Sequence, residues 1–155
     1  MKNKNELGIY IHIPFCVHKC IYCDFLSSPA DEKTRKRYVK ALIREINLAA
    51  EGKTNRCINK CNNENNNKSN NYGKDIVTSI FIGGGTPSVI DASDIKDIIE
   101  AVRHNYNVSD DAEITIECNP GTINSEKAYI YREAGINRIS FGLQSTDDKE
   151  LRMLG

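Results

Sequence analysis

The chain lacks a surplus of either charge: Lys and Arg together number 21, as do Asp and Glu. Without a global basic field nothing favours nucleic acid or an anionic membrane surface as a partner, so any partner must be recognised locally. Long apolar runs are missing too. The opening stretch MKNKNELGIYIHIPFC is too short and too interrupted by polar residues for a signal-peptide core. It has none of the Arg- and Ser-rich character of a transit peptide, and no segment reaches membrane-spanning length. A cytoplasmic protein with no membrane span is expected. There, six cysteines read better as reduced, metal-binding or catalytic thiols than as a disulfide framework. What is present, 155 residues with 39% hydrophobic and 27% charged, suits a soluble protein with one ordinary core.

Along the chain the apolar period switches repeatedly between two residues and three to four. In LGIYIHIP, residues 7–14, Ile9, Ile11 and Ile13 alternate with Tyr10 and His12, which predicts a strand closed by Pro14. From about Asp31 to Ala50, Tyr38, Leu42, Ile46 and Ala49 recur at helical spacing. Asn then fills seven of the ten positions 62–71, a composition that cannot offset its ordering entropy, so a disordered insertion is expected at about 52–74. IVTSIFIGGG reads as a buried strand, and a helix follows from about Ala92 to Tyr106 with Ile95, Ile98, Ile99 and Val102 on one face. AEITIECNPG predicts a third strand, SEKAYIYREAG a helix ending at Gly135, NRISFGLQS a fourth strand, and DDKELRMLG the start of another helix.

Strands and helices alternating at this spacing imply a parallel α/β sheet, either doubly wound or a βα barrel. Glu113, Thr115, Glu117 and Asn119 share one face of the third strand, and Ser140, Gly142 and Gln144 one face of the fourth. A doubly wound sheet would have helices over both faces and make both apolar. One polar face suggests the lumen of an open, TIM-like (βα) barrel with parallel strands inside outer helices. A full barrel takes ~250 residues. Residues 1–155 are therefore expected to be the N-terminal portion of such a domain, with the rest of the barrel and a C-terminal domain absent.

The stretch CVHKCIYC places Cys16, Cys20 and Cys23 within eight residues. Structural zinc usually takes four ligands in paired short spacings. The only other close pair is Cys57 and Cys61 in the Asn-rich segment, read as incidental thiols, and His18 would have to fold back to complete a tetrahedron. CIYC matches a redox Cys-x-x-Cys but leaves Cys16 unexplained. A 4Fe-4S cubane held by three thiolates would leave one iron open. Composition and spacing leave all three readings standing. In FIGGGTPS, Gly83, Gly84 and Gly85 end a strand where backbone must approach a ligand or adopt positive φ, in neither a Rossmann nor a Walker pattern. Glu117, at the end of its polar strand face, could accept two hydroxyls of a ribose diol; Gln144 is placed likewise one strand on, and Tyr10 points to the side that Cys16 enters.

The spacing Cys-x3-Cys-x2-Cys, with Tyr22 before the third Cys, resembles that of the radical S-adenosylmethionine (SAM) enzymes. Together with YIHIPFC, FIGGGTPS, ITIECNP and INRISFGLQS it is similar to the family of oxygen-independent coproporphyrinogen III oxidase and its relative, the HemW-type haem chaperone. The resemblance implies that Cys16, Cys20 and Cys23 hold a 4Fe-4S cluster whose open iron takes the amino and carboxylate groups of SAM. It implies that Tyr10, Tyr22, Gly84, Gly85 and Thr86 lie on SAM, Glu117 on its ribose, and Gln144 near the nucleoside or a second ligand; it assigns no separate catalytic residue. In the family's chemistry a reduced cluster, fed by an electron donor, splits SAM to a 5′-deoxyadenosyl radical that abstracts hydrogen. Two departures from the oxidases follow the HemW type. Phe25 stands where the oxidases carry a further cysteine, and the first strand begins near Met1 without their N-terminal extension. The expectation is thus a HemW-like chaperone that binds haem or a porphyrin and passes it to a haem-acceptor protein. The alternative is an oxidase that decarboxylates coproporphyrinogen, and more remotely a structural zinc module.

Overall fold

The computed structural model of the chain describes residues 5–51 and 75–154. The expected Asn-rich insertion, with Cys57 and Cys61, lies outside them. Strand β1 (Glu6–Ile13) sends Ile11 and Ile13 into the core, as the alternation requires, and leaves Tyr10 on the other face. Helix α1 (Glu32–Ala50) starts where Asp31 caps it, its carboxylate accepting the Thr34 N–H at 2.8 Å. That bond holds the Asp31 carboxyl below its ordinary range. Val39 and Ile46 are the helix's buried residues, with Tyr38 and Leu42 packed against the same cluster.

Strand β2 (Ile76–Gly84) leads through a 3-10 turn (Pro87–Val89) into α2 (Ala92–Asn105). Ile95, Ile98, Ile99 and Val102, all at 0% exposure, form its inner face. Burying each such side chain contributes ~2 kcal/mol or more, which is why this helix seats against the sheet. Strand β3 (Asn107–Cys118), α3 (Ser125–Glu133), β4 (Arg138–Phe141) and α4 (Asp148–Leu154) complete the order. Asn124 caps α3 by accepting the Lys127 N–H at 2.8 Å.

The four strands are all parallel and lie in chain order, β1-β2-β3-β4. Helices α1, α2 and α3 contact one another in sequence, along the face to which Ile11, Ile82, Ile114 and Ile116 point. Sequential parallel order with a single helical layer is the architecture of an opened βα barrel; a doubly wound sheet would reverse order and carry helices on both sides. The opposite face is polar, as expected from the third and fourth strands. Register aligns Tyr10, Phe81, Thr115 and Arg138 across it, and Arg138 Nη1 donates to Glu113 Oε1 at 3.2 Å and to Thr115 Oγ1 at 3.3 Å.

Two differences from the sequence reading concern strand ends. β3 begins five residues earlier than Ala112, at Asn107, because Ile76 and Val77 pair with Asn107 and Val108 before an irregularity between Val77 and Ser79 shifts the register. β4 stops at Phe141 rather than Ser145, and beyond it Gln144 takes a left-handed φ of 63° that no strand can hold.

Candidate cofactor site at the C-terminal mouth of the sheet

Each strand delivers one part of the site at its C-terminal end. After β1, the chain is held by a parallel bridge between Phe15 and Ser28; Cys16 N–H donates to Ser28 O at 3.3 Å, and Ser28 N–H to Pro14 O at 3.0 Å. Phe15, 5% exposed, meets the Tyr38 ring edge-on at 5.2 Å. Cys23 N–H donates to Cys20 O at 3.2 Å, which turns the loop so that all three cysteines face one recess. The loop's base is thus fixed by backbone bonds and an aromatic anchor, while its tip is open, with Ile21 and Leu26 exposed.

The glycine turn after β2 is stitched to this base. Gly85 N–H donates to Ile13 O at 2.9 Å and Thr86 N–H to Phe15 O at 2.7 Å. Gly84 has φ +119°, which strongly favours glycine, and Gly85 allows an approach that a side chain would block: a Cβ there would lie 2.6 Å from Phe15 O and 2.9 Å from Cys16 Sγ. From β3, Glu117 Oε2 accepts the Gly84 N–H at 3.2 Å. Thr86, buried at 3% exposure, donates from Oγ1 to Cys16 Sγ at 3.6 Å and accepts from Asn119 Nδ2 at 3.1 Å. From β4, Gly142 N–H donates to Cys118 O at 3.0 Å, which brings Ser140 and Gln144 to the same rim.

Of the residues singled out from the sequence, Cys16, Cys20, Tyr22 and Cys23 line one recess. Gly84, Gly85, Thr86, Glu117 and Gln144 line it too. Burial, then the neighbouring Cys20 and Cys23, raise the Tyr22 phenol. Tyr10 does not join that lining. It lies lower on the inner face, stacked on Phe81 with centroids 6.1 Å apart and 3.1 Å from His12 Nδ1. Burial and the Glu117 carboxylate raise its phenol as well. The sequence reading missed Phe25 and Phe141, which supply apolar wall, and Cys118, which reaches the recess although its strand position is on the core side. Phe25 and Phe141 lie within two residues of Cys23 and Ser140, whereas Cys118 is brought there from the core side of its strand.

Thiols, glycine backbone and a carboxylate make a donor set suited to an iron–sulfur cluster and an amino-acid nucleoside. Among the described residues no three His, Cys, Asp or Glu side chains gather as ligands of one metal ion. A cubane takes one thiolate on each of several separate irons, and the cysteines that line one recess can supply them. The missing Cβ at Gly85 leaves Cys16 Sγ clear on the glycine side. The residues present therefore fit such a group.

A partial βα barrel carrying a three-thiol site at its mouth defines a class of cluster protein. The chain belongs to the radical SAM superfamily: the profile of that superfamily matches residues 67–155, a span that takes in β2 and every element after it. The cysteine motif precedes that span and is covered by individual relatives. The chain is 37% identical over 150 residues to the haem chaperone HemW of Escherichia coli (strain K12), across 96% of this chain and 35% of the relative. It is also 37% identical over 153 residues to HemW of Bacillus subtilis (strain 168), across 94% and 34%. The chain thus spans about a third of the length of these relatives. Among solved structures, the Escherichia coli coproporphyrinogen III oxidase HemN, a radical SAM enzyme, aligns with TM-score 0.80 and 26% identity over 97% of this chain and 31% of that one.

Proposed function

We propose that the chain is the N-terminal part of a haem chaperone of the HemW type. Cys16, Cys20 and Cys23 hold a 4Fe-4S cluster, and SAM lies against Gly84, Gly85, Thr86 and Tyr22 with its ribose on Glu117. The observation that carries the reading is the convergence of the three cysteines, the glycine turn and Glu117 on one recess, in a chain 37% identical to two HemW proteins. Bound together, a reduced cluster and SAM supply reductive cleavage of the sulfonium carbon–sulfur bond.

The chain's own residues do the rest. Gly84 N–H fixes the Glu117 carboxylate, so one of its oxygens is oriented before a diol arrives. Phe25 and Phe141 add apolar surface to the recess. Tyr10, with His12 and Phe81, lies deeper and closes the inner face beneath SAM. On this reading an external one-electron donor and a haem-acceptor protein would be the partners. A cytoplasmic compartment that keeps such thiols reduced is part of the same reading. Among the described residues no helix is long and apolar enough to cross a membrane.

The fold likeness to HemN supports a second reading, oxidative decarboxylation of coproporphyrinogen. Phe25, where the oxidases carry a cysteine, speaks for the chaperone. Anaerobic reconstitution followed by haem titration and, separately, an assay of protoporphyrinogen formation decides between them. Haem binding without turnover is expected; turnover without haem binding reverses the ranking.

A further inference from the structure

Thr86 is buried, and its hydroxyl is committed on both sides. A threonine hydroxyl has one proton to give. The Asn119 amide donates to Thr86 Oγ1 at 3.1 Å, and the proton of that hydroxyl is directed at Cys16 Sγ, 3.6 Å away. Asn119 is itself fixed, its backbone N–H donating to Ser88 Oγ at 3.3 Å while Ser88 Oγ shares a short hydrogen bond with Thr122 Oγ1. The β2–α2 and β3–α3 turns are thereby wired to a single sulfur. Cys16 faces a buried threonine hydroxyl, whereas the hydroxyl beside Cys20 is that of the exposed Tyr22.

We propose that Thr86 tunes the electron affinity of the cluster through Cys16, with Asn119 as the positioning residue that aims its hydroxyl. The inference rests on the cluster reading above. A hydrogen bond to a ligating thiolate withdraws charge from sulfur and favours the reduced cluster, and low exposure strengthens the effect by removing competing water. Donation from Asn119 polarises the Thr86 hydroxyl and strengthens its bond to sulfur. Reduction takes one electron from a low-potential donor, and no bond to the protein forms or breaks. Beside its place against SAM, Thr86 thus takes an electronic role through Cys16.

The test is a redox titration of the reconstituted chain with dithionite, read by the paramagnetic signal of the reduced cluster, for wild type, Thr86→Val, Thr86→Ser and Asn119→Ala. Thr86→Val keeps the shape and removes the hydroxyl. It is expected to shift the reduced-to-oxidised ratio at a fixed potential toward the oxidised form by about three- to tenfold, tenfold being about 59 mV for a one-electron couple. Thr86→Ser should restore the wild-type midpoint. Asn119→Ala should shift it the same way by less, and by nothing more in a Thr86→Val background. Equal midpoints in wild type and Thr86→Val, both loaded with cluster, overturn the proposal. So does a shift in Asn119→Ala that persists undiminished without the Thr86 hydroxyl. A Thr86→Val chain that loses its cluster passes the decision to Asn119→Ala, whose midpoint must then move. Failure of wild type to take up iron and sulfide overturns the cluster reading itself, and this inference with it.

Discussion

Gly85 stands against Cys16: a Cβ built on the glycine would lie 2.9 Å from Cys16 Sγ and 2.6 Å from the carbonyl oxygen of Phe15. Backbone cannot yield as a flexible side-chain end can, so the glycine turn and the cysteine loop fit only while this position carries no side chain. Gly85→Ala should destabilise the chain by about 1–3 kcal/mol, and iron retained after reconstitution should fall to a small fraction of wild type. Gly121→Ala is the control. Its φ of +81° makes it strained, but its Cβ would meet nothing within 4 Å. It should cost about 1 kcal/mol and leave iron content unchanged. Equal iron in both variants would show that the contact with Cys16 does not shape the ligand loop.

The thiols separate in the same assay. Cys16, Cys20 and Cys23 line the recess together, and so does Cys118, which is 1% exposed and whose thiol burial raises above its ordinary value. If three thiolates hold the cluster, Cys20→Ser should abolish the brown absorbance, while Cys118→Ala keeps a full complement of iron and sulfide and costs about 1–2 kcal/mol of core packing. Cys57→Ser, outside the described residues, should also leave the cluster intact. Loss of iron in Cys118→Ala would make it the fourth ligand and close the open corner that SAM requires.

Much of this was legible because the pattern is periodic. Ile95, Ile98, Ile99 and Val102 announce a helix face, and all four are fully buried. Ile11 and Ile13 announce a strand face in the same way. The polar alternation through Glu113, Thr115 and Glu117 distinguished a barrel wall from a doubly wound sheet. What stayed illegible depends on contacts between residues far apart in sequence. The early start of β3 comes from pairing with Ile76 and Val77 across a register shift, and Ser109, Asp110 and Asp111 give no sign of it. Tyr10 alternates correctly onto the inner face, yet period alone cannot tell its height in the barrel, and stacking on Phe81 keeps it out of the recess lining. The bond from Thr86 to Cys16 joins positions seventy residues apart.

On the outer layer, Lys36 joins α1 to α2, its Nζ 2.6 Å from Asp91 Oδ2 and 3.0 Å from Asp94 Oδ2. Hydrogen bonds to Asp91 and then Asp94 raise the Lys36 ammonium above its ordinary value, and the bond from Lys36 holds Asp91 below the usual carboxylate range. A raised lysine contributes stability that is complete below its unfolded value and is lost as pH climbs through the folded one. A depressed aspartate contributes above its unfolded value and loses that as pH falls through the folded one. The pair therefore stabilises between about pH 4 and 10. Both groups are more than a third exposed, so solvent screening limits the gain to about 1 kcal/mol. Urea denaturation should find Lys36→Met weaker than wild type by about that much at pH 7, with the gap narrowing near pH 3. A gap as wide at pH 3 as at pH 7 would assign the loss to the lysine's methylene packing instead.

Lys127 is the bolder case, because a cation in the first turn of α3 opposes the helix dipole. Its Nζ donates to three backbone carbonyls, Ser88 O at 2.7 Å, Ile90 O at 3.2 Å and Thr122 O at 3.2 Å. Burial lowers its value, with Asp91 and Cys118 pulling the other way, so the ammonium is retained at a cost that the carbonyls offset. Those carbonyls belong to the β2–α2 and β3–α3 turns, the same turns that carry Thr86 and Asn119 to the cysteines. Lys127→Met keeps the aliphatic stem and strips three partly buried acceptors of their donor. It should destabilise the chain by about 2–4 kcal/mol in urea, more than removing the exposed cap with Asp31→Ala does. Because the damage falls on the two turns, amide hydrogens of residues 86–90 and 119–122 should exchange faster, while those in the middle of α2 keep their protection. Uniform loss of protection through α2 as well would mean that Lys127 supports the whole helical layer rather than the mouth of the site.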